Sequence, residues 1–93
     1  MADGALSAYG PVSGNITTAA KLIVAARGSR DGGVFIQNTH ASNILYVGPD
    51  TDVTSTNYGA KLAAGEWMTV PTRGAVYGYG SAAATTVNFW ELF

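Results

Sequence analysis

Val34-Phe35-Ile36 and Ile44-Leu45-Tyr46-Val47 are two short apolar runs, separated by Gln37-Asn38-Thr39-His40-Ala41-Ser42-Asn43 and followed by Gly48-Pro49-Asp50. Runs this short, rich in β-branched and aromatic residues and bounded by Asn, Ser, Gly and Pro, are typical of strands joined by tight turns. The middle of the chain is therefore predicted to be a β-meander in which the two runs form a hairpin.

The rest of the chain repeats this pattern, with turn residues every ~8 to 12 positions. Further strands are predicted within residues 16–26, 53–56, 67–70, 75–79 and 85–92, with a short helical turn as the alternative within residues 16–26 because of its alanines. The spacing predicts an all-β domain over residues 16–93, a small antiparallel β-sandwich or a jelly-roll-like barrel. Residues 1–15 show no sustained periodicity and are predicted to be an extended N-terminal arm, either a frayed terminus or an arm that lies on a neighbouring subunit.

Alternate residues of a strand point to opposite sides of a sheet, which separates a predicted core face from an outward face. The inward pairs are Val34 with Ile36, Met68 with Val70, and Val87 with Phe89. The complementary faces are unusually apolar, and six aromatic residues on them are predicted to form a protein interface: Phe35, Tyr46, Trp67, Tyr77, Tyr79 and Trp90. Contiguous exposed aromatic area usually marks an interaction surface, although a loop or the arm of the same chain is an alternative cover.

The size and composition of the chain also favour association with other subunits. A chain of 93 residues buries only roughly 60 to 65% of its unfolded surface, and without cysteine it has no disulfide to support a thin core. Charged residues make up 12% of the chain, against about 25% in a typical soluble domain. Association with other subunits is the remaining source of stability, so a homo-oligomer is expected.

The same composition argues against several classes of partner. Five basic residues are scattered and balanced by six carboxylates, so no basic field is present to bind a nucleic acid. The longest apolar run, residues 22–26, is far shorter than the ~20 residues that span a bilayer. The first residues lack the basic and apolar regions of a secretory signal, so synthesis in the cytoplasm is expected.

No set of residues predicts catalysis, a metal site or a cofactor. His40 is the sole histidine and lies in a predicted turn, where it has no second histidine or cysteine for a zinc site. Asp50 and Asp52 lack the glycine and glutamate of a calcium loop. Glu66 and Glu91 are the only glutamates, and nothing in the sequence brings them to one cleft. The chain is not expected to be an enzyme.

Two polar residues that flank the first apolar run are expected to have structural roles. Arg30 is expected to fix the sheet edge by pairing with one of three carboxylates, Asp31, Glu66 or Glu91. Asn38 ends an apolar strand and is expected to cap a turn instead of binding a ligand.

The pattern Arg30-x-x-x-Val34-x-Ile36-x-Asn38, Ile44-x-Tyr46-Val47-Gly48, Val53-Thr54, Asn57-x-Gly59-x-x-Leu62-x-x-Gly65-Glu66 resembles one that recurs in small β-sandwich structural proteins of tailed bacteriophages. It consists of core and turn positions. Tyr58, which stands between Asn57 and Gly59, departs from the usual spacing of that turn.

This resemblance implies a virion component, most similar to a capsid decoration or cement protein. Such a protein would bind the outside of the phage head as an oligomer, with a trimer favoured, and clamp neighbouring subunits of the major capsid protein. A tail, baseplate or head-fibre component is an alternative that would share the same sandwich and oligomerisation and differ only in its site on the particle. A carbohydrate- or receptor-binding module is another, with Trp67, Tyr77, Tyr79 and Trp90 as a stacking platform.

Overall fold

Strands form wherever short runs of β-branched and aromatic residues lie between turn residues. The computed structural model describes residues 9–11 and 15–93, so the predicted arm lies largely outside the described residues. The strands are β1 (Tyr9–Pro11), β2 (Lys21–Val24), β3 (Gly33–Asn38), β4 (Leu45–Gly48), β5 (Ala60–Leu62), β6 (Trp67–Val70), β7 (Val76–Gly80) and β8 (Val87–Leu92). Within these described ranges there is no helix that is long and apolar enough to cross a membrane.

The strands form two four-stranded antiparallel sheets that pack face to face. The first sheet has the order β1-β8-β3-β6, and the second has the order β2-β7-β4-β5. Only β4 and β5 are neighbours both in the chain and in a sheet, and all other pairs join strands that are distant in sequence. This order is that of a jelly roll, in which two interleaved Greek keys form a sandwich. The predicted all-β sandwich is confirmed.

The predicted central hairpin is wrong. Both sides of β3 are already paired, with β6 and with β8, while β4 lies in the second sheet between β5 and β7. Residues 39–44 therefore cross from one sheet to the other. Asn38 holds this crossover, because its side-chain amide donates to the carbonyl oxygens of Asn43 (2.8 Å) and Leu62 (3.0 Å), and its Oδ1 accepts from the backbone N–H of His40.

The core lies between the two sheets and takes residues from both. Val34 and Ile36 are fully buried, as predicted from the alternation along β3. Met68, Val70 and Phe89 are partly buried and pack against the same cluster. Within the second sheet, Gly78 of β7 faces Ile23 of the neighbouring strand β2, and a Cβ added at this glycine would lie only 2.8 Å from the Ile23 Cδ1. The small residue therefore lets β7 pack closely against the side chain of its neighbour.

Glycine is also required where β3 begins. Gly33 has φ of +86°, and a Cβ at this position would lie 2.2 Å from the carbonyl oxygen of Val70. An L side chain is therefore excluded both by the backbone conformation and by the close approach of β6. The turn predicted over residues 27–33 is present, with turns at residues 28–29 and 31–32.

A buried ion network closes one end of the sandwich. Arg30 is 0% exposed, and its Nη1 donates to Glu91 Oε1 at 2.8 Å, so Glu91 is the partner among the three candidates. Its remaining donors reach the carbonyl oxygens of Ala25, Thr72 and Gly74. One guanidinium thus ties β8 to the segments that follow β2 and β6.

The segment between β4 and β5 is a loop and not a strand. Residues 53–56 do not form the predicted weak strand. Instead, the Thr54 hydroxyl oxygen accepts from the backbone N–H groups of Thr56 and Asn57, and the Thr54 N–H donates to the Asn57 carbonyl. The local hydrogen bonds of threonine and asparagine favour this turn over a strand, while buried Val53 anchors the loop to the protein.

Candidate functional site

The six predicted interface residues lie on two opposite outer surfaces. Phe35, Trp67 and Trp90 point outward from the first sheet, and we call this surface the tryptophan face. Tyr46, Tyr77 and Tyr79 point outward from the second sheet, together with Tyr58 from the β4–β5 loop, and we call this surface the tyrosine face. The sequence identified the outward residues but not the sheet to which each belongs.

The tryptophan face is a row of three aromatic side chains across β6, β3 and β8. Phe35 lies in the middle, opposite Trp90 in the register of β3 with β8. On its other side the Phe35 and Trp67 ring centroids are 5.3 Å apart at an interplanar angle of 33°. Cross-strand aromatic neighbours of this kind stabilise a sheet, but they leave the outer side of each ring uncovered. Trp67 is 61% exposed and Trp90 is 50% exposed.

The surroundings of this row are polar but uncharged. Register and alternation give the outward side chains of β3, β6 and β8 as Phe35, Gln37, Trp67, Thr69, Asn88, Trp90 and Leu92. None of these side chains ionises in the physiological pH range. The face therefore offers exposed aromatic area with amide and hydroxyl groups beside it, a composition similar to that of protein interfaces.

The tyrosine face differs, because much of it is covered by its own chain. Tyr46 is only 8% exposed, and its ring centroid lies 5.0 Å from that of Tyr58 and 6.3 Å from that of Tyr79. The β4–β5 loop thus supplies the cover for Tyr46. Tyr77 and Tyr79 are half-buried, and Leu22 on β2 lies opposite Tyr77 and is exposed.

Tyr58 also belongs to this face but is not among the six predicted interface residues, because Asn57-Tyr58-Gly59 is a sequence typical of a turn. The signal in the sequence is the departure from the usual spacing of the pattern, because an aromatic residue stands between Asn57 and Gly59. In the structure that ring packs at a tilted angle against the Tyr46 ring, with the two centroids 5.0 Å apart. The inserted aromatic residue therefore has a packing role.

A single stacking platform of four aromatic residues is not present. Trp67 and Trp90 lie on the outer face of the first sheet, while Tyr77 and Tyr79 lie on that of the second, with the core between them. An apolar groove of about 210 Å³ does lie between the edges formed by β5 and β6, but it is lined by core and loop residues and by none of the six aromatic residues.

His40, Glu66 and Glu91, the polar residues weighed as candidates for catalysis or metal binding, form hydrogen bonds or an ion pair within the fold. The His40 Nδ1 accepts hydrogen bonds from the backbone N–H groups of Ser42 and Asn43 within the crossover. Glu66 is exposed and accepts from the backbone N–H of Ala63, whereas Glu91 is buried against Arg30. Among residues 9–11 and 15–93, no group of three or more His, Cys, Asp or Glu side chains is placed to hold a metal ion.

Asp50 and Asp52 lie in the exposed β4–β5 loop, where Asp50 Oδ1 accepts from the backbone N–H of Asp52. This hydrogen bond gives the Asp-Thr-Asp sequence a role in a local turn.

Comparisons with protein-family models, with curated proteins and with solved structures find no match to this chain.

Proposed function

We propose that this protein is a structural subunit of a tailed-phage virion, a decoration protein that binds the outer surface of the head and clamps neighbouring major capsid subunits. The observation that carries the proposal is the tryptophan face. On this uncharged sheet surface Trp67 is more than half exposed and Trp90 is half exposed. The choice of a phage particle as the partner rests on the resemblance of the core and turn positions to small phage β-sandwich proteins. No catalytic role is proposed.

The shape of the tryptophan face favours a macromolecular partner. Its three aromatic rings lie side by side on the outside of a sheet, and small-molecule sites are instead concave and enclose most of their ligand. Exposed Trp within an uncharged patch is one of the residue types that most often anchor a protein interface. Covering the remaining exposed area of one indole, on the order of 100 Å², would contribute about 2 to 3 kcal/mol.

An oligomer can clamp neighbouring capsid subunits because it binds them through several tryptophan faces at once. One face of this size supplies a modest affinity, because association costs translational and rotational freedom. An oligomer that presents the same face several times binds more tightly than any one copy, since later contacts form at high effective concentration. Copies that bridge two capsid subunits then raise the free energy needed to separate them, because they bind the assembled state alone.

The direct test uses particles of the phage that encodes the chain, prepared without this protein and mixed with recombinant wild-type or variant protein. Trp67→Ala combined with Trp90→Ala is expected to raise the dissociation constant for the particles, measured by co-sedimentation over a range of concentrations, by at least about tenfold, the equivalent of ~1.4 kcal/mol. The matched control is Tyr77→Ala, which removes an aromatic side chain from the opposite outer face. Equal binding by all three proteins would contradict the role of the tryptophan face.

Location on the particle separates this proposal from the alternatives. Cryo-electron microscopy is expected to show the protein on the outer shell of the head. Density confined to the tail, baseplate or head fibres would replace the decoration role by one of those. The exposed row of Trp67, Phe35 and Trp90 is also a possible stacking surface for sugars. Saturable glycan binding that is lost in the double Trp variant, without binding to particles, would support a carbohydrate-binding module.

A further inference from the structure

The two sheets end in four edge strands, β1 and β6 in the first sheet and β2 and β5 in the second. An exposed edge pairs readily with another chain, and proteins prevent this with lysine, proline, irregular register or very short strands. Three of these edges have such features. β1 is three residues long and ends in Pro11, β2 begins with Lys21 and has a register shift between Leu22 and Val24, and β5 is three residues long with Lys61 at its centre.

β6 has none of these features. Its sequence, Trp67-Met68-Thr69-Val70, contains no charge and no proline, and its register with β3 is continuous over all four residues. In the described part of the chain no strand pairs with its other side. The side chains of Met68 and Val70 are only half-buried although they point toward the core, because the sandwich is open along this edge.

We infer that β6 is a self-association site, at which the β6 strands of two copies pair antiparallel about a twofold axis. The hydrogen-bonding groups of β6 are suitably placed. Asn38 N–H donates to the Glu66 carbonyl, and bonded pairs alternate along an antiparallel ladder, so Met68 and Val70 direct their backbone groups toward β3. Trp67 and Thr69 direct theirs to the free edge. With Trp67 of each copy opposite Thr69 of the other, all of these groups are paired.

Charge supports a second copy as the occupant. Glu66 comes directly before β6, and Arg73 follows it after Pro71 and Thr72; both are exposed, and Arg73 also pairs with the exposed Asp31 of its own chain. Antiparallel pairing brings Glu66 of one copy to the end of the contact that holds Arg73 of the other, and the exposed guanidinium of Arg73 remains accessible to a second carboxylate beside Asp31. Parallel pairing would bring like charges together. The uncharged strand between them presents no repulsion to an identical strand.

Pairing would also cover apolar area that one copy leaves open. Met68 and Val70 line the groove between β5 and β6, and in this register the Met68 side chains of the two copies lie opposite each other on the core side. On the outer side, the two tryptophan faces become one continuous surface. The inference does not rest on attachment to a capsid, since it concerns only contacts between copies of the chain.

The first experiment measures molar mass in solution by size-exclusion chromatography with light scattering over a range of concentrations. Wild-type protein is expected to reach twice the chain mass of 9.6 kDa. Thr69→Lys, which places a charge at the free edge, is expected to raise the dimer dissociation constant by at least about tenfold. Asn88→Lys is the control, since it adds lysine to the same sheet face on β8, an interior strand. A wild-type monomer or trimer, or equal weakening by both variants, would overturn the inference.

The second experiment tests the register and does not depend on a destabilising variant. Directly opposite residues in a non-hydrogen-bonded pair have Cα atoms about 4.5 Å apart, within the ~4.4 to 6.8 Å range of disulfides. The chain has no cysteine, so Met68→Cys introduces a single thiol at the predicted axis. Mild oxidation is expected to yield a covalent dimer from Met68→Cys and little from Asn88→Cys. Equal yields from the two variants would reject this pairing, even if the proposed binding to particles holds.

Discussion

Glu91→Leu tests whether the buried ion network holds the end of the sandwich together. Glu91 is 1% exposed and accepts from Arg30, which is itself 0% exposed, and from the Nε of Arg27 at 2.9 Å. Leucine retains volume on β8 but leaves the Arg30 guanidinium buried without a counter-charge. Breaking a buried pair from one side costs about 3 to 5 kcal/mol. A chain of 93 residues has a total stability of roughly 5 to 14 kcal/mol, so much of it would be lost.

The assay is urea unfolding followed by circular dichroism, together with calorimetry. At about 4 to 8 °C per kcal/mol for a domain of this size, the melting temperature is expected to fall by at least ~12 °C. Arg73→Ala is the control, because it breaks the exposed pair of Arg73 with Asp31, and exposed pairs contribute about 0 to 1 kcal/mol. A loss below about 1 kcal/mol for Glu91→Leu, similar to that of the control, would refute the reasoning.

Three further substitutions test other parts of the fold. Gly33→Ala forces a Cβ against the Val70 carbonyl at positive φ and is expected to cost at least about 3 kcal/mol by urea unfolding, because the backbone conformation alone costs about 1 to 3 kcal/mol; a neutral result would contradict this. Asn38→Leu removes the amide that holds the crossover and is expected to cost about 1 to 3 kcal/mol, with unchanged stability as the contrary result. Tyr58→Ala uncovers Tyr46 and is expected to raise tyrosine solvent exposure by ultraviolet difference absorbance, at a cost of about 0.5 to 1.5 kcal/mol; an unchanged spectrum would argue against the stacking.

The strand positions and their buried faces are largely predictable from the sequence. Residues 67–70 form β6 with the predicted bounds, and Met68 and Val70 point inward as expected. Alternation reports which side of a strand is buried, and this information is local. Whether residues 37–43 form a hairpin turn or a crossover depends on which strands lie on either side of β3, and those strands come from residues far along the chain.

The arrangement of the candidate site is not predictable for the same reason. Trp67 and Tyr77 both point outward, but nothing local assigns them to different sheets. Arg30 had three carboxylate candidates, and the choice of Glu91 depends on the pairing of β3 with β8. The cover of Tyr46 by Tyr58 likewise requires the β4–β5 loop to fold back over the second sheet.

The most direct test of the tryptophan face as a protein-binding surface is intrinsic fluorescence, because the two tryptophans of the chain both lie on it. In the free protein, acrylamide is expected to quench the emission efficiently. Under the proposed decoration role, adding phage particles that lack this protein is expected to shift the emission to the blue and to protect it from quenching. Emission and quenching that stay unchanged while the protein co-sediments with the particles would show that another surface binds them and would contradict the account.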